Sequence, residues 1–257
     1  MKNLSASRLQ LAKCLLIAIF AGFYGFTKWA SPLANYFPIS VEAQTTKRSQ
    51  QQAERFDELV RNDFFAGMMG DKARLDRGMK FCEEILAKNP KHAEALVWHG
   101  GGLITRSAEA YRRGDNKLGD ALWNQGIKEM NDAVAFEPDR IDVKIGRSAT
   151  IIGLAQAGWD ANNAESRELL KSAVLDYEKV YQAQKPTFSR LWEHSRGELL
   201  FGLASGWSIL GEHQKAREYL RLIVKEVKGT DYETDAQKWL NKKPAIIEHD
   251  CRGCHVN

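Results

Sequence analysis

Pro90, Pro138 and Pro186 are evenly spaced along the chain, and at one fixed distance after each comes a large aromatic residue: Tyr111, Trp159 and Trp207. A fixed period with punctuating prolines restricts the chain to stacked supersecondary units, none able to bury its apolar face alone. Other columns agree: Gly78, Gly126 and Val174 lie twelve residues before the prolines, and Ile127 and Leu175 lie eleven before the last two. Proline opens a helix well but does not sit inside one, so each unit reads as two helices. The spacing predicts pairs over 92–113 with 117–136, 140–160 with 163–183, and 187–210 with 213–228. An earlier pair over 55–66 with 71–88 and a single helix over 231–241 complete the array. In the best-marked pair Gly114-Asp115 ends the first helix, and Leu122, Ile127, Met130 and Ala133 recur at helical spacing in the second. Alternating apolar runs and Val/Ile/Thr clusters between turn residues are lacking, so the expected fold class is all-α.

The last full unit carries a family pattern. Leu199-Leu200-Phe201-Gly202-Leu203-Ala204, then Leu210-Gly211-Glu212-His213-Gln214-Lys215-Ala216, then Tyr219-Leu220 and Ile223 resemble a tetratricopeptide repeat. The resemblance covers roughly residues 70–241, with Ile85 before Pro90 and Ala133 before Pro138 fitting the end of the repeat. The proline period exceeds the usual ~34 of that family, and longer helices are the simplest cause. The resemblance implies a helical-hairpin solenoid in which small residues at Gly202 and Ala216 let paired helices approach. It also implies a concave groove for a protein or peptide partner, and no chemistry of its own.

Residues 1–43 hold Lys2, Arg8, Lys13 and Lys28 against Glu42, which places +3 of the formal +4 charge there and leaves +1 for the rest. A nearly neutral body offers no footprint for a nucleic-acid backbone. The basic residues precede an uncharged apolar run from Cys14 to Phe26, the order of an export signal, so the body is expected outside the cytoplasm, in the periplasm. The run has signal-peptide length, but the best small-residue site, Val41-Glu42-Ala43, lies far beyond it. Both a cleaved signal and an uncleaved inner-membrane anchor remain open. Lys13 directly before Cys14 is wrong for a lipid-modified cysteine. Residues 44–54 are polar and aperiodic and read as a linker, 55–241 as the helical repeat domain, and 242–257 as a tail.

The tail ends in Cys251-Arg252-Gly253-Cys254-His255. Two cysteines separated by two residues and followed at once by histidine have the spacing of covalent c-type haem attachment. Two thiols so placed add to the vinyl groups of one porphyrin edge, and the adjoining imidazole lies beneath the ring, where it ligates iron. Cys251 and Cys254 are thus the expected thioether positions and His255 the proximal ligand, with one haem c per chain. Export is consistent with this, because bacteria attach c-type haem outside the cytoplasm. Three other uses stay open: a zinc site from His249, Cys251, Cys254 and His255, a plain disulfide, and a redox-active thiol pair. The first would have to wrap tightly around one ion, and the last lacks the βαβ setting that lowers a thiol pKa.

Only Val256 and Asn257 follow His255 in the sequence given, so a sixth iron ligand is sought in the body or another chain. Met68, Met69, Met79, Met130, His92, His99, His194 and His213 are the donors available. His99 shares a column with Arg147 and Ser195 and reads as a hydrogen-bonded helical histidine; His194 and His213 lie on polar stretches and read as solvated. Cys82 reads as a small buried hydrophobe, and Trp98, Trp123, Trp159, Trp192, Trp207 and Trp239 as core. No Ser/His/Asp, paired-carboxylate or Gly-rich phosphate constellation stands at a usable spacing. Nothing marks the acid–base pocket that a haem enzyme would need. The composite expectation is an exported scaffold whose haem transfers electrons to a redox partner or senses redox state or a gas. A haem-free interaction scaffold is the alternative.

Overall fold

The computed structural model describes residues 55–160 and 163–242, which are all-α: nine α-helices and one 3₁₀ helix, with no strand among the described residues. The helices are α1 (Phe56–Met68), α2 (Lys72–Lys88), α3 (Ala93–Arg112), α4 (Asn116–Phe136), α5 (Ile141–Gln156), α6 (Ala164–Gln184), α7 (Glu193–Ile209), α8 (His213–Glu226) and α9 (Asp231–Leu240), with the 3₁₀ helix at Lys185–Arg190 between α6 and α7. They pack as sequential pairs, α1 with α2, α3 with α4, α5 with α6 and α7 with α8, and α9 lies against α8.

Four pairs turn in the same way. Gly70, Gly114, Gly158 and Gly211 all have positive φ, between 82° and 106°. Behind each glycine the next residue's N–H reaches back five positions, as in Asp115 N to Ala110 O at 3.0 Å and Glu212 N to Trp207 O at 2.8 Å. This is the Schellman ending, which needs a left-handed residue and satisfies carbonyls that the helix leaves over. In two turns the next residue is an aspartate that caps the following helix: Asp71 accepts from Arg74 N and Asp115 from Leu118 N. Asn163 caps α6 and Thr230 caps α9 likewise.

The two members of a pair are buried differently. On α2, α4 and α8 burial is confined to a single stripe, for example Ala216, Tyr219, Leu220 and Ile223 of α8. On α3, α5 and α7 it runs nearly all round, and α3 is buried continuously from Ala95 to Ile104. The neighbours explain this, because α1 touches α3, α3 touches α5 and α5 touches α7, while α2, α4 and α6 each also contact the first helix of the following pair. The inner helices can lie so close because small residues leave room. A Cβ on Gly126 would come within 2.7 Å of the Gly100 carbonyl oxygen, so α3 and α4 meet backbone to backbone. One apolar cluster runs from Phe56 to Ala236, and a smaller one, around Val97, Ala133 and Val143, fills the junction of α3, α4 and α5. Each fully buried large side chain in these clusters contributes roughly 1.5–3 kcal/mol.

Four sequence expectations are corrected. The aromatic column is not a structural column: Tyr111 lies three residues before Gly114, Trp159 one after Gly158, and Trp207 four before Gly211. Helices α3 and α5 start at Ala93 and Ile141, one proline period apart, but α7 starts at Glu193, four positions later than that period requires. The difference arises at Pro186, which does not open a helix over 187–210 but occupies the first turn of the 3₁₀ segment, so α7 begins only at Glu193. Trp192 consequently falls at the helix edge and is 49% exposed, whereas Trp98, Trp123, Trp159 and Trp207 are buried and Trp239 packs against the core. Finally, the space made by Gly202 is taken by Tyr177 of α6, 2.6 Å from a Cβ at that position, so the glycine serves contact with the preceding pair.

Candidate functional site

Cys251, Cys254 and His255 lie outside the described residues, as do the apolar segment from Cys14 to Phe26 and the linker. Among the described residues, no helix is long and apolar enough to cross a membrane, and no group of three or more His, Cys, Asp and Glu side chains gathers as metal ligands would. The described body leads into the tail from α9, where Arg217 of α8 donates to the Leu240 carbonyl oxygen at 3.0 Å.

The donors considered for a sixth ligand separate clearly. Met79 and Met130 are fully buried, and Met68 is buried beside them in the core. His92 serves as the N-cap of α3, its Nδ1 accepting from Ala95 N at 3.2 Å, with its ring 4.9 Å from that of Phe56. His99 is buried, its Nδ1 donating to Glu129 of α4 at 2.6 Å and its Nε2 3.7 Å from Glu83 of α2. That is the hydrogen-bonded helical histidine expected from its column. His194 is not simply solvated: its Nδ1 is 2.9 Å from the Tyr232 hydroxyl, which also donates to Glu198, and the ring lies 5.2 Å from that of Trp192. Met69, 64% exposed behind α1, and His213, exposed at the first position of α8, are open to solvent.

Cys82 adjoins the His99 carboxylate cluster but is no nucleophile. Burial, reinforced by the charges of Glu129 and Glu83, pushes its thiol up to about 12, so the thiolate is essentially absent at neutral pH.

Two polar centres tie the pairs together. Arg147 of α5, in the same repeat column as His99, is buried against Asp176 of α6 at 3.1 Å, Asn131 of α4 at 2.8 Å and Ser172 of α6 at 2.7 Å. Desolvation pulls its pKa below the ordinary value, against the attraction of Asp176. Glu178 of α6 accepts from Trp207 Nε1 of α7 and from the Tyr219 hydroxyl of α8, both at 3.0 Å. Burial, with the Glu178 charge, holds the Tyr219 phenol far above its usual range.

A groove of about 490 Å³ opens where α6, the 3₁₀ helix and α8 meet. Its floor is Tyr181, Phe188, Tyr219 and Leu222, with the Tyr181 ring edge-on to both Phe188 at 5.1 Å and Tyr219 at 6.1 Å. Lys185, Ser189, Glu218, Lys225 and Glu226 complete its lining. Sequence reasoning missed it, because its walls on α6 and α8 are distant in the chain and the only local signal was Pro186. The inner helices are closed by comparison: where α1, α3 and α5 meet, Asp57, Glu94 and Asp142 surround a space of about 10 Å³, room for about one water.

Compared with known proteins, the chain matches no family model, no curated protein and no solved structure.

Proposed function

We propose that this chain is an exported scaffold of tetratricopeptide type that carries one covalent c-type haem on its tail and exchanges electrons, or senses redox state or a gas, while its helical body holds a protein partner. The observation that carries the proposal is the run Cys251-Arg252-Gly253-Cys254-His255, in a chain whose first residues have the order of an export signal. Cys251 and Cys254 hold the group through thioether bonds, and His255 supplies the proximal nitrogen. When bound, haem supplies one-electron chemistry at iron, tuned by its axial ligands and surroundings.

The solenoid part rests on four hairpins with one type of turn, and on inner helices that touch in order from α1 to α7. It also rests on Leu199 to Ile223, where the tetratricopeptide resemblance is clearest and where Leu200, Leu203, Ala204, Ala216, Leu220 and Ile223 are buried. The body's task is then to position the tail against a partner.

The test is expression with an export signal in a host that matures c-type haem, alongside a C251S/C254S variant. Denatured pyridine haemochrome spectra should report one haem per native chain and none in the variant. A native chain that stays colourless while its helical circular dichroism is intact contradicts the proposal, and leaves a haem-free interaction scaffold.

A further inference from the structure

We propose that the groove between α6, the 3₁₀ helix and α8 binds a small betaine. The methylated ammonium of this zwitterion sits against the rings of Tyr181, Phe188 and Tyr219, and its carboxylate is answered by Lys185 and Lys225. A volume of about 490 Å³ lies in the size range of small-molecule sites. All three rings line it, and Tyr181 stands nearly at right angles to both others, at 87° to Phe188 and 83° to Tyr219. Rings at right angles bound a corner, which suits a rounded group such as trimethylammonium better than a flat ring that stacks.

The chemistry of the lining selects a cation at the rings. The Tyr219 hydroxyl donates to Glu178 at 3.0 Å, which enriches its ring in electrons. Burial, with the Glu226 charge at Tyr181 and the Glu178 and Glu218 charges at Tyr219, raises both phenols above their usual range. The rings therefore stay neutral and lie in a negative potential, the setting in which an aromatic face attracts a cation. Glu226 and Lys225 are 3.5 Å apart, but the glutamate side chain is 21% exposed and the lysine 76%. The carboxylate thus belongs to the wall while the ammonium extends into solvent, and Lys185 is exposed as well. An ordinary primary ammonium is strongly hydrated and loses more on entering than a methylated one, whose methyl groups also bury apolar surface. The lining charges of Lys185, Lys225, Glu218 and Glu226 cancel, so a ligand with one charge of each sign matches them better than a net cation. The inference goes beyond the haem proposal and does not depend on it.

Isothermal titration of the full chain with glycine betaine tests it. One saturable site per chain is expected, with a Kd of about 1 mM or tighter, modest for so small a ligand. The neutral carbon counterpart, 3,3-dimethylbutanoate, should bind at least about tenfold more weakly. Choline, which keeps the cation and lacks the carboxylate, should bind about threefold more weakly, and K185Q/K225Q should remove that difference. F188L keeps an apolar side chain without the ring, and E226Q removes a charge without disturbing the packing. Each should weaken betaine binding at least about threefold while helical circular dichroism is unchanged. Absence of a saturable site for glycine betaine overturns the inference, as does equal binding of 3,3-dimethylbutanoate. Native affinity in both F188L and E226Q places the ligand elsewhere and overturns it too, and choline bound as tightly as betaine overturns the zwitterion assignment. The C251S/C254S variant should bind betaine as the native chain does, so a failure of the haem proposal is read separately.

Discussion

At Pro138 the chain passes from α4 into α5 in four residues, and Arg140 closes the link with Glu94 at 2.9 Å, Glu137 at 3.0 Å and Asp142 at 2.6 Å. At Pro186, the same sequence column, it takes eight residues through the 3₁₀ helix, with Phe188 buried against Tyr181. The first link is short and held by charge; the second is longer, held by an aromatic contact, and leaves a groove beside it. A proline column therefore marks where helices stop without fixing what joins them. The residues around the proline decide: Arg140 has carboxylates on both sides, whereas Lys185-Pro186-Thr187-Phe188 has an apolar side chain and no acidic neighbour in the first turn.

The largest effect should come from the hairpin between the two links. Asp176→Ala leaves Arg147 buried without its carboxylate and should lower stability by about 3–5 kcal/mol, read from urea unfolding; a loss near zero would mean that Asn131 and Ser172 suffice. Phe188→Ala should cost about 3 kcal/mol and make the Pro186 link the first site cut in limited proteolysis. If cleavage still begins elsewhere, the aromatic contact is not what holds that link. Arg140→Gln, on a side chain 37% exposed, should cost only about 1 kcal/mol, and thermal melts with and without added salt should show the loss shrinking as salt screens the native pairs.

The smallest effect concerns the sign of a carboxylate's contribution at the Pro138 link. Burial, reinforced by the hydrogen bond shared with Asp142, raises the Glu94 pKa above its ordinary value despite Arg140. A carboxyl with a raised folded pKa contributes most below the ordinary carboxylate range, and that contribution is lost as pH rises through the raised value. Glu94→Gln should therefore be slightly more stable than the native chain at neutral pH, with the gain vanishing in acid. A variant less stable at neutral pH would mean that the Arg140 ion pair dominates the link.

Nearly all of the helical outline was legible in the sequence. Gly70, Gly114, Gly158 and Gly211 end helices because only a left-handed residue completes those turns, and the predicted helices match the observed ones within a few residues up to Gln184. The departure at α7 was not legible, because proline's fixed φ suits the first turn of a 3₁₀ helix as well as that of an α-helix. The aromatic column failed for a related reason: α5 is four residues shorter than α3, which moves Trp159 past the turn while the prolines keep their spacing. Burial of Cys82 followed from its helical pattern, and the hydrogen-bonded role of His99 from its repeat column. The groove did not, since Tyr181 and Tyr219 meet only once α6 and α8 are packed. The haem attachment proposed at Cys251, Cys254 and His255 rests on the sequence alone, where their order is itself the chemical signal.

Intact-mass spectrometry of the denatured chain, purified after export in a host that matures c-type haem, addresses the central claim most directly. The account predicts a mass higher by one haem than that of the C251S/C254S variant, once the two substitutions are allowed for. A native chain whose mass is that of the polypeptide alone would contradict it.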